Sequence, residues 1–231
     1  MFKSNSELIV FLKAMGSEKL KEFNSRIIPT NSKIIGIKTP DLRVLAKKCA
    51  KEDLKNSLAV FGEEYHEEIL LYGLIVAYAN VSYDQRVYYL DKYVKLIDNW
   101  AQVDCVVNTC KFISKNRKDF LCKIEEWLSS GKPFVVRFAL VSLLYYYIDD
   151  ECIDYIFKVV ENIDCSEYYV SMAVAWLLAE CYVKLTLSTE NYLKISSIDA
   201  ITYNRTIQKI CDSYRVDKHN KIKLKLTKRK M

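Results

Sequence analysis

The stretch KPFVVRFALVSLLYYY, residues 132–147, decides the fold. Its apolar pattern predicts a long helix over 133–147, and further long helices are predicted to begin near 65, 99 and 167. A shorter helix falls between each pair, so the pattern repeats with a period of about 34 residues. Two helices in a period of this length are typical of a helical solenoid, and an ordinary helical bundle is the alternative.

The rest of the chain is also predicted to be helical. Gly (5) and Pro (3) are scarce among 231 residues, which favours helices joined by short polar links. Thr39 is predicted to cap a helix that has Pro40 at its first position, and Asp98 to cap another. The predicted spans are 4–14, 16–25, 52–61, 65–79, 84–95, 98–114, 117–129, 133–147, 151–162, 167–183, 188–194 and 199–213.

We therefore predict an all-α fold, a solenoid of HEAT-like helical repeats that forms one domain over residues 1–231. Within it, residues 1–50 are the N-terminal helices and cap, 51–214 are the repeats, and 215–231 are a basic C-terminal tail. The tail holds eight Lys or Arg and one Asp, so its charge attracts polyanions. A solvated extension without a partner is the simpler interpretation of that tail.

Composition limits the class of protein. The eight Cys include no CxxC pair, which favours a reducing cytoplasm over a disulfide framework. The amphipathic, charged start is unlike a signal peptide, and no window of eighteen apolar residues predicts a membrane span. With two His, a metal site built on His is not expected, and no Walker or GxGxxG motif indicates a nucleotide cofactor. The Lys- and Tyr-rich composition suggests a bacterial source.

Three positions attract attention as candidate site residues. Trp100 and Asp104 in DNWAQVD are four residues apart, so they share one face of a helix. Arg137 is the only charge between Lys132 and Asp149, so it either pairs with a buried carboxylate such as Asp104 or faces an anion. For Asp104, a structural salt bridge is the common alternative to a functional role.

A third aromatic candidate, Trp176, lies in the apolar stretch YYVSMAVAWLLAECYVK. Taken alone, it is best interpreted as a core residue. Tyr168 and Tyr169 at the start of the same stretch add aromatic surface.

The chain resembles the AlkD-like DNA alkylation repair enzymes, which are DNA glycosylases built from HEAT-like repeats. The resemblance runs over nearly the whole length, and the order and spacing of its pieces carry it. These pieces are GIKTPDLRVLAK (36–47), HEEILLYGLIVAY (66–78), DNWAQVD (98–104), PFVVRFALVSLL (133–144), YYVSMAVAWLLAECY (168–182) and SYRVDKHNK (213–221).

The resemblance implies a right-handed α-solenoid whose concave groove binds duplex DNA. It implies that Asp104, Trp100, Trp176 and Arg137 are the catalytic residues, and that a monomer without metal or cofactor excises cationic N3- or N7-alkylated purines. Base flipping is not obligatory in this family. DNA contacts are expected from Arg137, Lys38, Arg43, Tyr168 and Tyr169. Met172 departs from the pattern, because many relatives have a basic residue at this position.

Two other functions remain open at this point. Some relatives on this scaffold lack glycosylase activity, so a DNA- or RNA-binding module that does not cleave is the first alternative. A protein-interaction scaffold of the HEAT type is the second. Salt-sensitive binding without base release would indicate the first, and no nucleic-acid binding at low salt would indicate the second.

Overall fold

A computed structural model describes residues 2–230 as an all-helical protein. Over this range it has fourteen α-helices, one short 3-10 helix and a single isolated parallel bridge between Lys33 and Tyr65. None of these helices is long and apolar enough to cross a membrane. The α-helices are α1 (Asn5–Met15), α2 (Glu18–Ile27), α3 (Thr39–Cys49), α4 (Leu54–Leu58), α5 (His66–Tyr78), α6 (Tyr83–Val94), α7 (Trp100–Val107), α8 (Arg117–Leu128), α9 (Pro133–Tyr146), α10 (Ile153–Asn162), α11 (Tyr168–Lys184), α12 (Thr186–Ile195), α13 (Ala200–Asp212) and α14 (Lys218–Lys225).

The chain divides into two compact units, and the first, unit 1, is Met1–Asn116. Its central helix is α5, whose residues are buried from His66 to Ala77. Helices α3 and α7 both pack against α5. The helices that lie between them in sequence, α4 and α6, also contact α5. A helix that is apolar all round belongs in a core, which explains why α5 lies between the others.

The second unit, unit 2, is Arg117–Met231 and follows the same rule. Helices α9, α11 and α13 lie side by side, with α11 in the middle. Helices α8, α12 and α14 pack on α9, α11 and α13 respectively. Each unit therefore alternates a row of buried helices with outer helices, which is the packing of a helical repeat.

The all-α class and the repeated helix pairs predicted from the sequence are confirmed. The long helices begin at His66, Trp100, Pro133 and Tyr168, close to the predicted starts near 65, 99, 133 and 167. That all of residues 1–231 form one domain stays a prediction.

Two predicted helix caps are wrong by one residue. Asn99, and not Asp98, caps α7, because its side-chain oxygen accepts from the backbone N–H groups of Ala101 and Gln102. Helix α3 is preceded by Lys38, so Thr39 is its first residue and no side chain caps it. For α7, the prediction failed because Asn and Asp are equally good N-cap residues, and Asn99 stands next to Asp98 in the sequence.

The helix predicted over 98–114 is also shorter than expected. Helix α7 ends at Val107, and a 3-10 helix, Lys111–Lys115, follows it. The carbonyl oxygen of Cys105 accepts from the Thr109 hydroxyl at 2.9 Å and from Nη2 of Arg43 at 2.9 Å, while the Thr109 N–H turns to Val106. Side-chain donors thus replace the next backbone bond and end the helix.

The segment predicted as a basic tail is anchored to the rest of unit 2 as far as Arg229. Helix α14 packs on α13 and buries Leu224, and Val216 before it is also buried. Arg229 stacks its guanidinium 3.9 Å from the ring centroid of Tyr203 and donates to the Ser196 carbonyl at 2.6 Å. The solvated-extension interpretation is therefore wrong, because two apolar residues and one arginine anchor this segment to unit 2. Met231 lies outside the described residues.

Candidate functional site

Helix α7 of unit 1 carries the first two candidate residues. Trp100 is its first residue and Asp104 follows one turn later, so both lie on one face of the helix. Each side chain is half-buried, whereas Val103, Val106 and Val107 of the same helix are fully buried. The apolar face attaches α7 to α5 and leaves the carboxylate and the indole at the edge of the core.

A buried polar network fixes the start of α7. The Asn99 amide donates to Nδ1 of His66 at 3.1 Å, and the Gln102 side chain accepts from the Asp98 N–H at 3.1 Å. Asn99, Gln102 and His66 are all buried. Burial lowers the pKa of His66, although Glu67 and Asp98 oppose the change. A neutral imidazole agrees with an Nδ1 that accepts, so the network holds α7 by groups without charge.

Asp98 connects this network to the segment after α2. Its carboxylate accepts from the Thr30 hydroxyl at 2.8 Å, the Asn31 N–H at 2.8 Å and the Asn99 amide at 2.8 Å. Next to it, the indole N–H of Trp100 donates to the Ile27 carbonyl at 3.1 Å. The indole N–H is therefore used within unit 1, and the ring face is the part of Trp100 that can meet a ligand.

Glu67 holds the same segment further along the chain. Its carboxylate accepts from the backbone N–H groups of Ile35, Gly36 and Ile37 at 2.9, 2.7 and 3.3 Å. Gly36 has a φ of +88°, and an added Cβ would collide with the backbone nitrogen of Lys21, so the turn requires glycine.

Two predicted DNA contacts belong to α3 of unit 1 and to the residue before it. Lys38 is exposed just before the helix. Arg43 is half-buried, and its guanidinium donates to Tyr78 at 3.2 Å, to Thr109 and to the Cys105 carbonyl. Arg43 thus has a structural role at the end of α7 that sequence reasoning missed. A contact between Arg43 and DNA stays a prediction.

In unit 2, Arg137 lies on α9 and is only 6% exposed. Its Nη1 donates to the Tyr169 carbonyl at 3.0 Å, in the first turn of α11. Tyr168 beside it is 51% exposed, and the guanidinium of Arg205 lies 4.8 Å above its ring. The structure therefore brings Arg137, Tyr168 and Tyr169 together around the start of α11.

Trp176 lies two turns further along α11 and is half-buried, not a fully enclosed core residue. Its indole and the ring of Tyr145 form a T-shaped pair with 6.1 Å between centroids. Trp176 also lines a cavity of about 410 Å³ within unit 2, together with the fully exposed Tyr214 and the Arg215–Glu180 ion pair. An indole at the edge of an open cavity can stack on a ligand.

The residues that position α7 were not identified from the sequence. Asn99 directly follows Asp98 in DNWAQVD, and His66 is the first residue of HEEILLYGLIVAY. Both residues therefore lie in stretches that carry the family resemblance. An Asn before an apolar helix was a usable capping signal. The partnership of Asn99 with His66, 33 residues apart, had no local signal.

Comparison with known proteins places the chain in a family. Residues 9–222 match the family described as DNA alkylation repair enzyme, which covers most of the 231 residues. No curated protein matches the chain.

Proposed function

The chain belongs to the DNA alkylation repair enzyme family, and from this premise we propose that it is a DNA glycosylase. Its proposed substrates are cationic N3- or N7-alkylated purines in duplex DNA, and its products are the free base and an abasic site. The proposed form is a cytoplasmic monomer that needs no cofactor. One observation carries the proposal: the carboxylate of Asp104 and the ring of Trp100 share one face of α7, at the edge of the core.

The proposed reaction suits these two residue types. An alkylated purine carries a positive charge, so when the N-glycosidic bond breaks the base takes the electron pair and leaves neutral. The positive charge moves to the deoxyribose, where the Asp104 carboxylate stabilises it electrostatically. Water then adds to C1′ and loses a proton, to Asp104 or to solvent. No general acid is required, because the leaving base is already activated.

Trp100 has a separate proposed role. Because its N–H is bonded to the Ile27 carbonyl, the ring is held in one orientation. Its face can stabilise a cationic sugar or base by a cation–π contact and exclude water from one side. The family resemblance assigns Trp176 a similar role and Arg137 a contact with a backbone phosphate. It also supports the proposal that the base need not be flipped.

The decisive variant is Asp104→Asn, which keeps the size of the side chain and removes its charge. We expect release of 7-methylguanine and 3-methyladenine from methylated duplex DNA to fall by about 100-fold or more in single turnover. Binding to the same duplex should persist, because Asp104 is not proposed to hold the backbone.

Asp119→Asn is the matched control, since Asp119 is an exposed carboxylate on the outer helix α8. It should retain wild-type base release. Unchanged base release by Asp104→Asn would contradict the role of Asp104, even if the wild type is active.

A non-catalytic DNA- or RNA-binding module is the second candidate. The observation that favours it is the basic segment around α14, where Lys218, Lys223 and Lys225 are exposed on a folded helix. This candidate predicts salt-sensitive binding by the wild type with no free base released from methylated DNA. The same assay therefore separates the two functions.

A further inference from the structure

A cavity of about 720 Å³ lies within unit 1, apart from the face of α7 that carries Asp104. Its walls come from the end of α1, one side of α2, the 28–35 segment and Tyr65. Three lysines, Lys13, Lys21 and Lys33, line it, together with one carboxylate, Glu18. A concave site with excess positive charge and hydroxyl groups is suited to an anion.

Two of these lysines meet at one aromatic ring. The Nζ atom of Lys13 lies 5.0 Å from the ring centroid of Tyr65, and that of Lys33 lies 6.0 Å from the same centroid. The Tyr65 residue is buried and so gives both ammonium groups a fixed support. Within the described part of the chain, Lys13 makes no salt bridge, although its charge helps to lower the pKa of Glu64.

The other two lysines have exchangeable partners. Lys33 pairs with Glu64 at 2.6 Å and Lys21 with Glu18 at 3.0 Å, and the side chains of all four are about half exposed or more. Exposed pairs of this kind contribute little to stability, so an incoming anion can replace the carboxylates. The hydrogen bond and the charge of Glu64 also raise the pKa of Lys33.

The cavity adjoins the segment that holds Trp100. Ile28 and Thr30 line the cavity, while Ile27 just before them accepts the indole N–H and Thr30 itself donates to Asp98. One short segment is therefore a wall of the lysine cavity and an anchor of α7. A DNA strand that touches Trp100 and enters the cavity would be held at both ends of this segment.

We propose that the lysine cavity binds a backbone phosphate of the DNA strand that carries the lesion. The inference rests on the proposed function. Lys13 and Lys33 supply the two supported charges, and Lys21 the third. A phosphate in this position fixes the strand relative to Trp100 without contacting the reacting base, so these lysines are positioning residues.

The first test measures binding of an unmodified 20-base-pair duplex as a function of salt concentration. In the double variant Lys13→Gln/Lys33→Gln, we expect the slope of log K against log[salt] to fall by about 0.9, the value for one phosphate contact. Affinity near 0.1 M salt should fall about fivefold to tenfold. Lys51→Gln/Lys55→Gln is the matched control, because both lysines are exposed in unit 1 but lie away from the cavity. Its slope should be that of the wild type.

A second variant acts in the opposite direction. Glu64→Gln removes the carboxylate that competes for Lys33, so it should tighten binding of the duplex about twofold to fivefold. Loss of any surface carboxylate favours DNA weakly, so the control is Glu52→Gln, an exposed carboxylate of unit 1 away from the cavity. Should the double variant fail to fold, this comparison still decides the proposal: a larger gain for Glu64→Gln than for Glu52→Gln supports it, and an equal or smaller gain overturns it.

A third measurement distinguishes DNA from a free anion. Inorganic pyrophosphate should compete with the duplex for the wild type more strongly than for the double variant. If the double variant loses pyrophosphate binding but keeps the wild-type salt slope for DNA, the cavity is a site for a free anion and the proposal is wrong. If the wild type itself does not bind DNA at low salt, the proposed function fails as well, which is a different result.

Discussion

Units 1 and 2 share one packing rule but bury different polar groups. Apart from the Thr109 hydroxyl, the buried polar groups of unit 1 are ionisable or carry an amide, whereas those described in unit 2 are one guanidinium and a set of hydroxyls. The first set is His66, Glu67, Glu68, Asn99, Gln102 and Thr109, and the second is Arg137, Ser142, Ser171, Thr189, Ser196, Thr202 and Thr206.

The partners of these groups explain the difference. Ser142, Thr189 and Thr206 each donate to the carbonyl four residues earlier in the same chain segment, at 2.7 to 3.0 Å. Such bonds satisfy the hydroxyl without connecting one element to another. Among the buried polar groups of unit 2 whose bonds the structure describes, only Arg137 and the Ser171–Thr202 pair link one helix to the next. Glu67 and Asn99 instead bond across elements, to the 35–37 turn and to α5. Unit 1 therefore uses buried polar groups to hold the 35–37 turn and the first turn of α7. Trp100 is the first residue of α7, so these bonds also position it.

The largest expected effect on stability concerns Glu67. Glu67→Ala leaves three buried backbone N–H groups without an acceptor, so the free energy of unfolding should fall by about 3–5 kcal/mol. The matched change in unit 2 is Ser142→Ala, which removes one intrahelical bond and should cost less than about 1 kcal/mol. Urea unfolding with an unchanged m value measures both. Equal losses for the two variants would remove the distinction between the units.

A smaller effect is expected at the helix caps. Asn99→Ala removes the cap of α7 and the partner of His66, so we expect a loss of about 2–3 kcal/mol. Asp199→Ala is the counterpart in unit 2, where an exposed carboxylate accepts from Thr202 at 2.9 Å, and should cost about 1 kcal/mol.

The same pair of cap variants also tests function. If the network positions the candidate site, Asn99→Ala should lower base release under conditions where the protein is folded, and Asp199→Ala should not. A folded Asn99→Ala variant with wild-type base release would show that the cap affects stability alone.

The smallest effect concerns pH. Because burial lowers the pKa of His66 from its usual 6.5, the unfolded chain takes up a proton at a higher pH than the folded protein. The stability contribution of a neutral His66 is thus complete above about pH 6.5 and is lost as pH falls towards the folded-state pKa, by at most about 1.4 kcal/mol per pH unit. Urea unfolding between pH 5 and 8 should show a shallower dependence for His66→Gln than for the wild type. Identical profiles would contradict a buried, neutral imidazole.

Local sequence patterns were sufficient to predict the positions of most of the helices. Helix α9 was predicted over 133–147 and spans Pro133–Tyr146, because a long apolar run with Pro at its start has few alternatives. Helix α7 was predicted too long, because the residues that end it include Arg43, which is distant in sequence. Helix α14 was not predicted, because its many lysines hid the single buried Leu224.

In the candidate site, too, some features followed from local sequence patterns and others depended on packing. That Trp100 and Asp104 share a face followed from the 3.6-residue period, since four residues on a helix are one turn apart. The half-buried state of Trp176 in an apolar stretch did not follow, because which side of an apolar helix stays open depends on its neighbours.

By itself, the sequence determined the all-helical class, the period of the repeat and the family, because these depend on local periodicity and on the order of short motifs. Only the tertiary structure decided that Asn99 joins His66, that Arg43 ends α7, and that Lys13 and Lys33 meet at Tyr65. The physical reason is that hydrogen bonds and charge contacts act over a few ångströms in space. Residues 20 to 66 positions apart come within that range only when the helices have packed.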